Sequence, residues 1–426
     1  MMGFSTLRLE PSTLSEAPWA LSRWAMNFSS FNPALLPPLE GTNRRQPVTA
    51  FFRVSNMHFC QPRRSWLDSV QLQTHIRSYL ARAELDPHNW TLRATATILS
   101  EASFLFRSDG DACPQRMELG DGTQFTFSGP EDARPFWEPV APRTAPWLLL
   151  SAWSEDCTRL RMHLVKLPPP SSPFSQQEVK QLPLVVEGWP LDTTLPHPES
   201  IALQKNWLPF VHDGILYAQY FIEPHVILRV DPSTGRCFPV TTMGACEQTG
   251  GCAGTKEMCG EHIPSDATCP AEAPADSRKF VSFAPLARVA SLFGSISGGA
   301  APIHLREQGI YLGYAHVKDA RSMPQHLGTV HMVYRHFFYA FRGRPPFEMV
   351  GSGPLHALPE PHHHTAHRSS PTGSTVQFAS GLMLNSASDE LVISYSSLDC
   401  GAYVTRVPVD DVLRDLGLGR AVPEST

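Results

Sequence analysis

The chain is 426 residues long with a formal net charge of −5, a balance that argues against a general nucleic-acid binder, which usually presents a basic face. Hydrophobic residues make up 42% and charged residues 18%, so a sizeable core can be buried and global disorder is excluded. The 40 prolines and 28 glycines are spread along the whole length, which breaks the chain too often for a helical bundle or a long helical solenoid.

Residues 1–30 read as an N-terminal extension. Met1 to Leu21 has polar and charged residues where a signal-peptide core would lie. No run of 18 apolar residues occurs, so no transmembrane helix is expected. Short apolar or alternating runs follow at 48–54 (VTAFFRV), 147–153, 160–167, 215–222, 226–230, 310–316, 330–341, 376–384, 391–395 and 402–407. They are rich in Val, Ile, Tyr and Phe and bounded by Gly, Pro, Asp or Ser, which predicts antiparallel strands. Two segments read as helical: Trp66–Ala83, with apolar Trp66, Val70, Ile76 and Leu80, and Val409–Leu416, which follows Pro408 and is closed by Gly417. An all-β sandwich, barrel or propeller is the expected class, with residues 31–416 as one domain and 417–426 as a tail.

The loops carry their own signals. Pro168–Pro173 is a polyproline-like crossing. Residues 237–278 read as an irregular insertion with five cysteines, Cys237, Cys246, Cys252, Cys259 and Cys269. They contain no C-x₂-C pair, which argues against a zinc ribbon. With the sequons at Asn27 and Asn89 they tilt the reading towards a disulfide-stapled loop in the secretory pathway, Golgi or extracellular, over reduced cysteines in an intracellular loop. Residues 354–375 hold His362, His363, His364 and His367 without a supporting carboxylate, so a surface loop is expected and no metal site. Nothing in the sequence calls for a cofactor.

The sharpest chemical motif is Gly129-Pro130-Glu131-Asp132-Ala133-Arg134. Neighbouring side chains on an extended backbone point to opposite faces, so one acid can pair with Arg134 while the other faces a pocket. Glycosyl transfer needs a carboxyl group that can protonate a glycosidic oxygen. On residue chemistry alone the segment also reads as a surface turn.

Its company is informative. Phe31-Asn32-Pro33 precedes Arg53-Val54-Ser55-Asn56; after the acid motif come Lys205-Asn206-Trp207-Leu208-Pro209-Phe210, Glu223-Pro224-His225, Gly298-Gly299-Ala300-Ala301-Pro302, Tyr314-Ala315-His316, Phe378-Ala379-Ser380-Gly381, and Tyr395 with Asp399. In that order, from about Phe31 to Val412, they resemble the five-bladed β-propeller of glycoside hydrolase family 130, the β-mannoside phosphorylases and related mannosyltransferases. The sequence departs from the family pattern at Ala133, where the acid motif has proline, at Ala300-Ala301, at Ser396, and at Ala315 and Val317.

The resemblance implies a carbohydrate-active enzyme working on β-mannoside-like glycans by inverting phosphorolysis, hydrolysis or mannosyl transfer. It places Asp132 as general acid. Arg53, Lys205 and His225 match positions that bind phosphate or sugar hydroxyls; Asn56, Arg134, Asn206, His316 and Asp399 join them around the substrate. Arginine would offer phosphate a planar fork and lysine a point charge. The implied substrate is an oligosaccharide with a sugar phosphate or nucleotide sugar. Hydrolysis would need a second carboxylate, for which Glu223, Glu348 and Asp399 are candidates, and Arg159 or Arg161 could add a cation. The other reading is a catalytically inactive propeller that binds glycan or protein.

Overall fold

The computed structural model describes residues 5–9, 29–39, 46–55, 75–91, 93, 97–99, 115–118, 124–140, 145–153, 159–168, 179–189, 195–196, 198–201, 204–240, 282–319, 333–359, 376–385, 389–397 and 401–419. Among the described residues twenty-three strands form five antiparallel-rich sheets arranged as blades around one axis, a five-bladed β-propeller. Blade 1 holds β2 (Ser29–Leu36), β3 (Val48–Ser55), β4 (His75–Leu85), β5 (Thr97–Leu99), β6 (Gln115–Glu118) and β7 (Gln124–Ser128). Blade 2 runs from β8 (Glu131–Trp137) through β9 (Pro146–Trp153) and β10 (Leu160–Lys166) to β11 (Lys180–Pro183). Blade 3 contains β13 (Leu208–His212), β14 (Ile215–Phe221), β15 (Val226–Val230), β16 (Arg236–Pro239) and β12 (Val185–Val186) at its edge. Blade 4 contains β17 (Ile296–Leu305), β18 (Ile310–Asp319), β19 (Val333–Arg342) and β20 (Met349–Ser352).

Blade 5 is β21 (Gln377–Asn385), β22 (Glu390–Ser397) and β23 (Gly401–Pro408), completed by β1 (Ser5–Leu9), which pairs antiparallel with β23. The segment read as an N-terminal extension thus supplies the outer strand of the last blade. This closure joins the two ends of the chain and leaves β23 without a free edge.

The core is not one body but five layers between neighbouring blades. Leu36, Phe51, Leu148 and Val165 fill the layer between blades 1 and 2. Phe136, Trp147, Trp207 and Tyr220 lie between blades 2 and 3, and Phe210, Tyr217, Tyr311 and Phe341 between 3 and 4. Tyr314, Phe338, Ile393 and Tyr395 lie between 4 and 5, and Phe52, Val54, Met383 and Val392 between 5 and 1. Each interior strand packs on both faces, so its burial is nearly continuous, as in β18 and β22. That is why these strands appear in the sequence as apolar runs.

Each of the ten strand runs expected from the sequence overlaps a strand among the described residues; 330–332 lie outside them. Val409–Leu416 appears as α2 (Val409–Asp415), which buries Val412 and Leu413; Gly417 follows at φ 72°, and the Leu418 amide donates to the Leu413 carbonyl at 2.8 Å. The other described helix, α1 (Ala284–Phe293), packs Leu286 against blades 3 and 4. The helix expected over Trp66–Ala83 is corrected over its described part: residues 75–83 belong to β4, whose residues 78–85 pair with the whole of β3, so ladder pairing overrides the helical spacing there, and 66–74 lie outside the described residues. Cys237 also moves, from the expected loop into β16, where it is buried. The other four cysteines of 237–278, and the four loop histidines, lie outside the described residues.

Candidate active site at the propeller axis

The innermost strands of the five blades are β2, β8, β13, β17 and β21. They crowd where each begins, and glycines make that crowding sterically allowed. A Cβ on Gly298 would lie 2.6 Å from the Asn206 carbonyl oxygen, and one on Gly299 would lie 2.8 Å from that of Tyr314. The Gly-Gly pair therefore lets β17 press against its neighbours on both sides.

At the same end the inner strands are bulged. Pairing slips between Phe31 and Ala34 on β2, Glu131 and Arg134 on β8, Gly298 and Ile303 on β17, and Ala379 and Gly381 on β21. Asn32 (φ 49°), Asp132 (φ 51°) and Asn206 (φ 64°) occupy left-handed backbone there. Asn and Asp tolerate this region better than other side-chain-bearing residues. The bulges on β2 and β8 turn Asn32 and Asp132 out of the strand alternation, where their side chains meet.

The result is a cluster centred on Asp132. The Asn32 side-chain amide donates to Asp132 Oδ1 at 2.7 Å, and Asn32 Oδ1 accepts from the Ser396 hydroxyl at 2.6 Å. Arg53 on β3 reaches Glu131 Oε1 at 3.1 Å and lies 3.7 Å from Asp132 Oδ1, while its Nε donates to the Ser78 hydroxyl at 3.0 Å. Arg134 is buried; it donates to the Gly299 carbonyl at 2.8 Å and to the Asp132 main-chain carbonyl at 2.9 Å, and its guanidinium lies 5.3 Å from the Phe378 ring centre. Arg134 thus braces blade 2 against blade 4 and fixes the backbone of Asp132.

Burial pushes the Asp132 carboxyl pKa up, but the Arg53, Arg134 and Lys205 charges and the Asn32 amide outweigh it and hold the group below its ordinary value. Burial lowers Arg134 to about 10, with Asp132 opposing the shift. Lys205 is exposed beside the bulge, and its charge is felt at both Asp132 and His316. His316, on β18, is buried and stacks on Tyr334 with ring centres 4.9 Å apart; its Nδ1 has no hydrogen-bond partner. Burial, then Lys318 and Arg134, lowers it to about 3. Asn206 Oδ1 is likewise buried without a partner.

Asp132, Arg53, Arg134, Lys205, Asn206 and His316 are thus gathered at one end of the axis. His225 joins a different network: it accepts from the Gln219 amide at 3.2 Å and donates to the Phe347 carbonyl at 2.9 Å between blades 3 and 4. Burial lowers it to about 4, and no charge of the Asp132 cluster contributes. Asn56 and Asp399 lie outside the described residues. Among the candidate bases, Glu223 accepts from the Ser282 hydroxyl and the Phe283 amide, anchoring the approach to α1, and Glu348 pairs with Arg342 at 3.1 Å on the surface. Arg161 donates to the Ile201 carbonyl at 3.1 Å. Asn32 and Ser396 complete the cluster without having been assigned roles from the sequence, and Glu131 pairs with Arg53, whereas the sequence pairs one of the two acids with Arg134. The signal for Asn32 was its place in the Asn-Pro motif.

No family model matches the chain, and no curated protein matches its sequence. Among solved structures it is similar to the β-1,2-mannobiose phosphorylase from Listeria innocua in complex with β-1,2-mannobiose: 14% identity, 98% of this chain and 100% of that one, TM-score 0.51. It also matches a glycosyl hydrolase from Bacteroides ovatus at 12% identity, over 89% of this chain and 84% of that one, with a TM-score of 0.46. The fold likeness rests on the first of these, which agrees with the five-bladed propeller seen here.

Among the described residues no helix is long and apolar enough to cross a membrane, and no group of His, Cys, Asp or Glu has the arrangement of a metal site.

Proposed function

We propose that the chain is a carbohydrate-active enzyme of the glycosidase and glycoside phosphorylase kind, acting on β-mannoside-like glycans with Asp132 as general acid. The observation that carries this reading is the Asp132 carboxylate itself. It sits on a left-handed bulge at the axis, is oriented by Asn32, and is ringed by Arg53, Arg134 and Lys205. A propeller fold of this kind in a β-1,2-mannobiose phosphorylase supports it.

The same electrostatics favour phosphorolysis or transfer from a sugar nucleotide over hydrolysis. In the free protein three cations keep Asp132 ionised, which is the wrong state for an acid. An anionic co-substrate bound to Arg53 and Lys205 would offset their charge. That would raise the Asp132 pKa against the remaining pull of Arg134 and Asn32, so the acid is better armed when the attacking anion or the donor phosphate is in place. In phosphorolysis a phosphate oxygen bonds to the anomeric carbon as the glycosidic C–O bond breaks, and the Asp132 proton goes to the departing oxygen.

A second reading, a propeller that binds glycan without turning it over, is favoured by the ionised resting state of Asp132. Separate incubations with mannose 1-phosphate plus a mannose acceptor, GDP-mannose plus the same acceptor, and β-mannooligosaccharides with and without inorganic phosphate distinguish the two. A new glycan or sugar phosphate in any of them supports the enzyme; tight binding with no product in all three supports the binding propeller.

A further inference from the structure

The strands that begin at the axial site end on the opposite face of the propeller. β8 is seven residues long, so its far end lies roughly 20 Å away at about 3.3 Å per residue. There, between blades 2 and 3, is a groove of about 730 Å³. This lies in the range of small-molecule pockets, roughly 300–1,000 Å³. The Glu138–Val140 turn of blade 2 forms one wall, and the Gly214 and Asp231–Ser233 turns of blade 3 form the other.

Its chemistry differs from the general surface of this acidic chain. Four cations line it, Lys166, Lys180, Arg229 and Arg236, against two carboxylates, Glu138 and Asp231, a surplus of two positive charges. Lys166 pairs with Glu138 at 2.8 Å, and Arg236 pairs with Glu187. Asp231 accepts from the Ser233 amide and hydroxyl and from the Thr234 hydroxyl within its own turn. Lys180 and Arg229 have no hydrogen-bond or ion-pair partner among the described residues.

The remaining wall is apolar. Trp147, Ile215, Leu216 and Phe238 contribute, with Val140 left 65% exposed. Lys166 stands 5.5 Å from the Trp147 ring centre and Arg236 5.5 Å from that of Phe238, so ring and cation alternate along the groove. The Trp147 indole N–H is buried with no acceptor.

We propose that this groove is a second ligand site, separate from the axial one, that binds a sugar phosphate. A phosphate monoester carries about −1.5 to −2 charges at neutral pH, which matches the two unpaired cations. A pyranose has an apolar C–H face for the Trp147 and Phe238 wall and hydroxyls for the polar rim. The site does not depend on the axial site's being catalytic.

Calorimetric titration of the full chain with mannose 6-phosphate, inorganic phosphate and mannose tests it. The wild type should bind mannose 6-phosphate more tightly than either fragment. Lys180→Glu with Arg229→Glu should weaken that binding at least tenfold for each lost charge-assisted contact. Lys180 is exposed and Arg229 is half-buried, and an unchanged melting temperature checks the fold. Arg53→Ala, which removes an anion contact of the axial site, should leave unchanged the groove's share of the binding, the part lost in the Lys180→Glu, Arg229→Glu chain. The proposal is overturned if mannose 6-phosphate fails to bind, if the double variant binds it normally, if the Arg53→Ala chain no longer binds it, or if inorganic phosphate binds equally well in the Arg53→Ala chain, where axial anion binding is weakened, which would make the groove a simple anion site.

Discussion

Acid should unfold this protein through its buried histidines. His163 and His225 are lowered to about 4 and His316 to about 3 by burial, and His336 is driven well below its ordinary value by burial and then by its histidine neighbours. His336 stacks on Tyr314 with ring centres 5.4 Å apart, and the Gln377 backbone only partly offsets its burial. In the folded chain these rings stay neutral, whereas in the unfolded chain each takes up a proton below about pH 6.5. Stability is therefore undiminished above 6.5 and falls as pH drops towards 4, where His163 and His225 begin to titrate in place. The slope is about 1.4 kcal/mol per pH unit per histidine, so each costs roughly 2 kcal/mol at pH 5 and the four together about 8. That is comparable to the whole stability of a typical domain, roughly 5–15 kcal/mol. The carboxylates with lowered pKa values add their loss only below about pH 4, outside this window. Denaturant unfolding at pH 7.5, 6 and 5 measures the slope, and His336→Phe should reduce it by about one proton while leaving stability at pH 7.5 intact or higher. A proton uptake of less than one on unfolding at pH 5, or a His336→Phe slope equal to the wild type, would refute the reasoning.

Asn32→Ala should destabilise the chain by roughly 1–3 kcal/mol, because it leaves the Ser396 hydroxyl and the Asp132 carboxylate short of a partner; it should also raise the Asp132 pKa, readable by carboxylate NMR, and an unshifted signal would count against the cluster. Gly299→Ala places a Cβ 2.8 Å from the Tyr314 carbonyl oxygen and 3.2 Å from that of Ala379, so it should cost about 1–3 kcal/mol or more in a melting experiment. The Cys237 thiol is buried and its pKa is pushed up by burial, so thiol reagents should label it only on unfolding, and rapid native labelling would contradict its placement in β16.

Most of the strands were legible because blade interiors bury both faces, which leaves runs such as VTAFFRV and YLGYAHV in the sequence. What failed was non-local. The apolar spacing of Trp66, Val70, Ile76 and Leu80 suits a helix, yet the ladder from Val48–Leu85 to Ser55–Ser78 decides in favour of a strand. The closing strand Ser5–Leu9 is too short to announce itself, and its partner lies at the other end of the chain. The acid was legible as Glu131-Asp132 before Arg134, since charged neighbours beside an apolar strand stand out. Its support was not: Asn32 is 100 residues away, and Ser396 is 364 residues from Asn32. His225 shows the converse, since a motif match in sequence said nothing of the Gln219 and Phe347 contacts that hold it elsewhere.

The central claim, that Asp132 is a general acid armed by an anion, is tested most directly by the rate of β-linked mannobiose breakdown in wild type and Asp132→Asn, with and without inorganic phosphate. The account predicts that wild type breaks the disaccharide down, to mannose 1-phosphate and mannose, when phosphate is present and does not hydrolyse it when phosphate is absent. It predicts a loss of about 10²–10⁴-fold in Asp132→Asn, with the fold of the variant unchanged. Turnover by Asp132→Asn at the wild-type rate would contradict it.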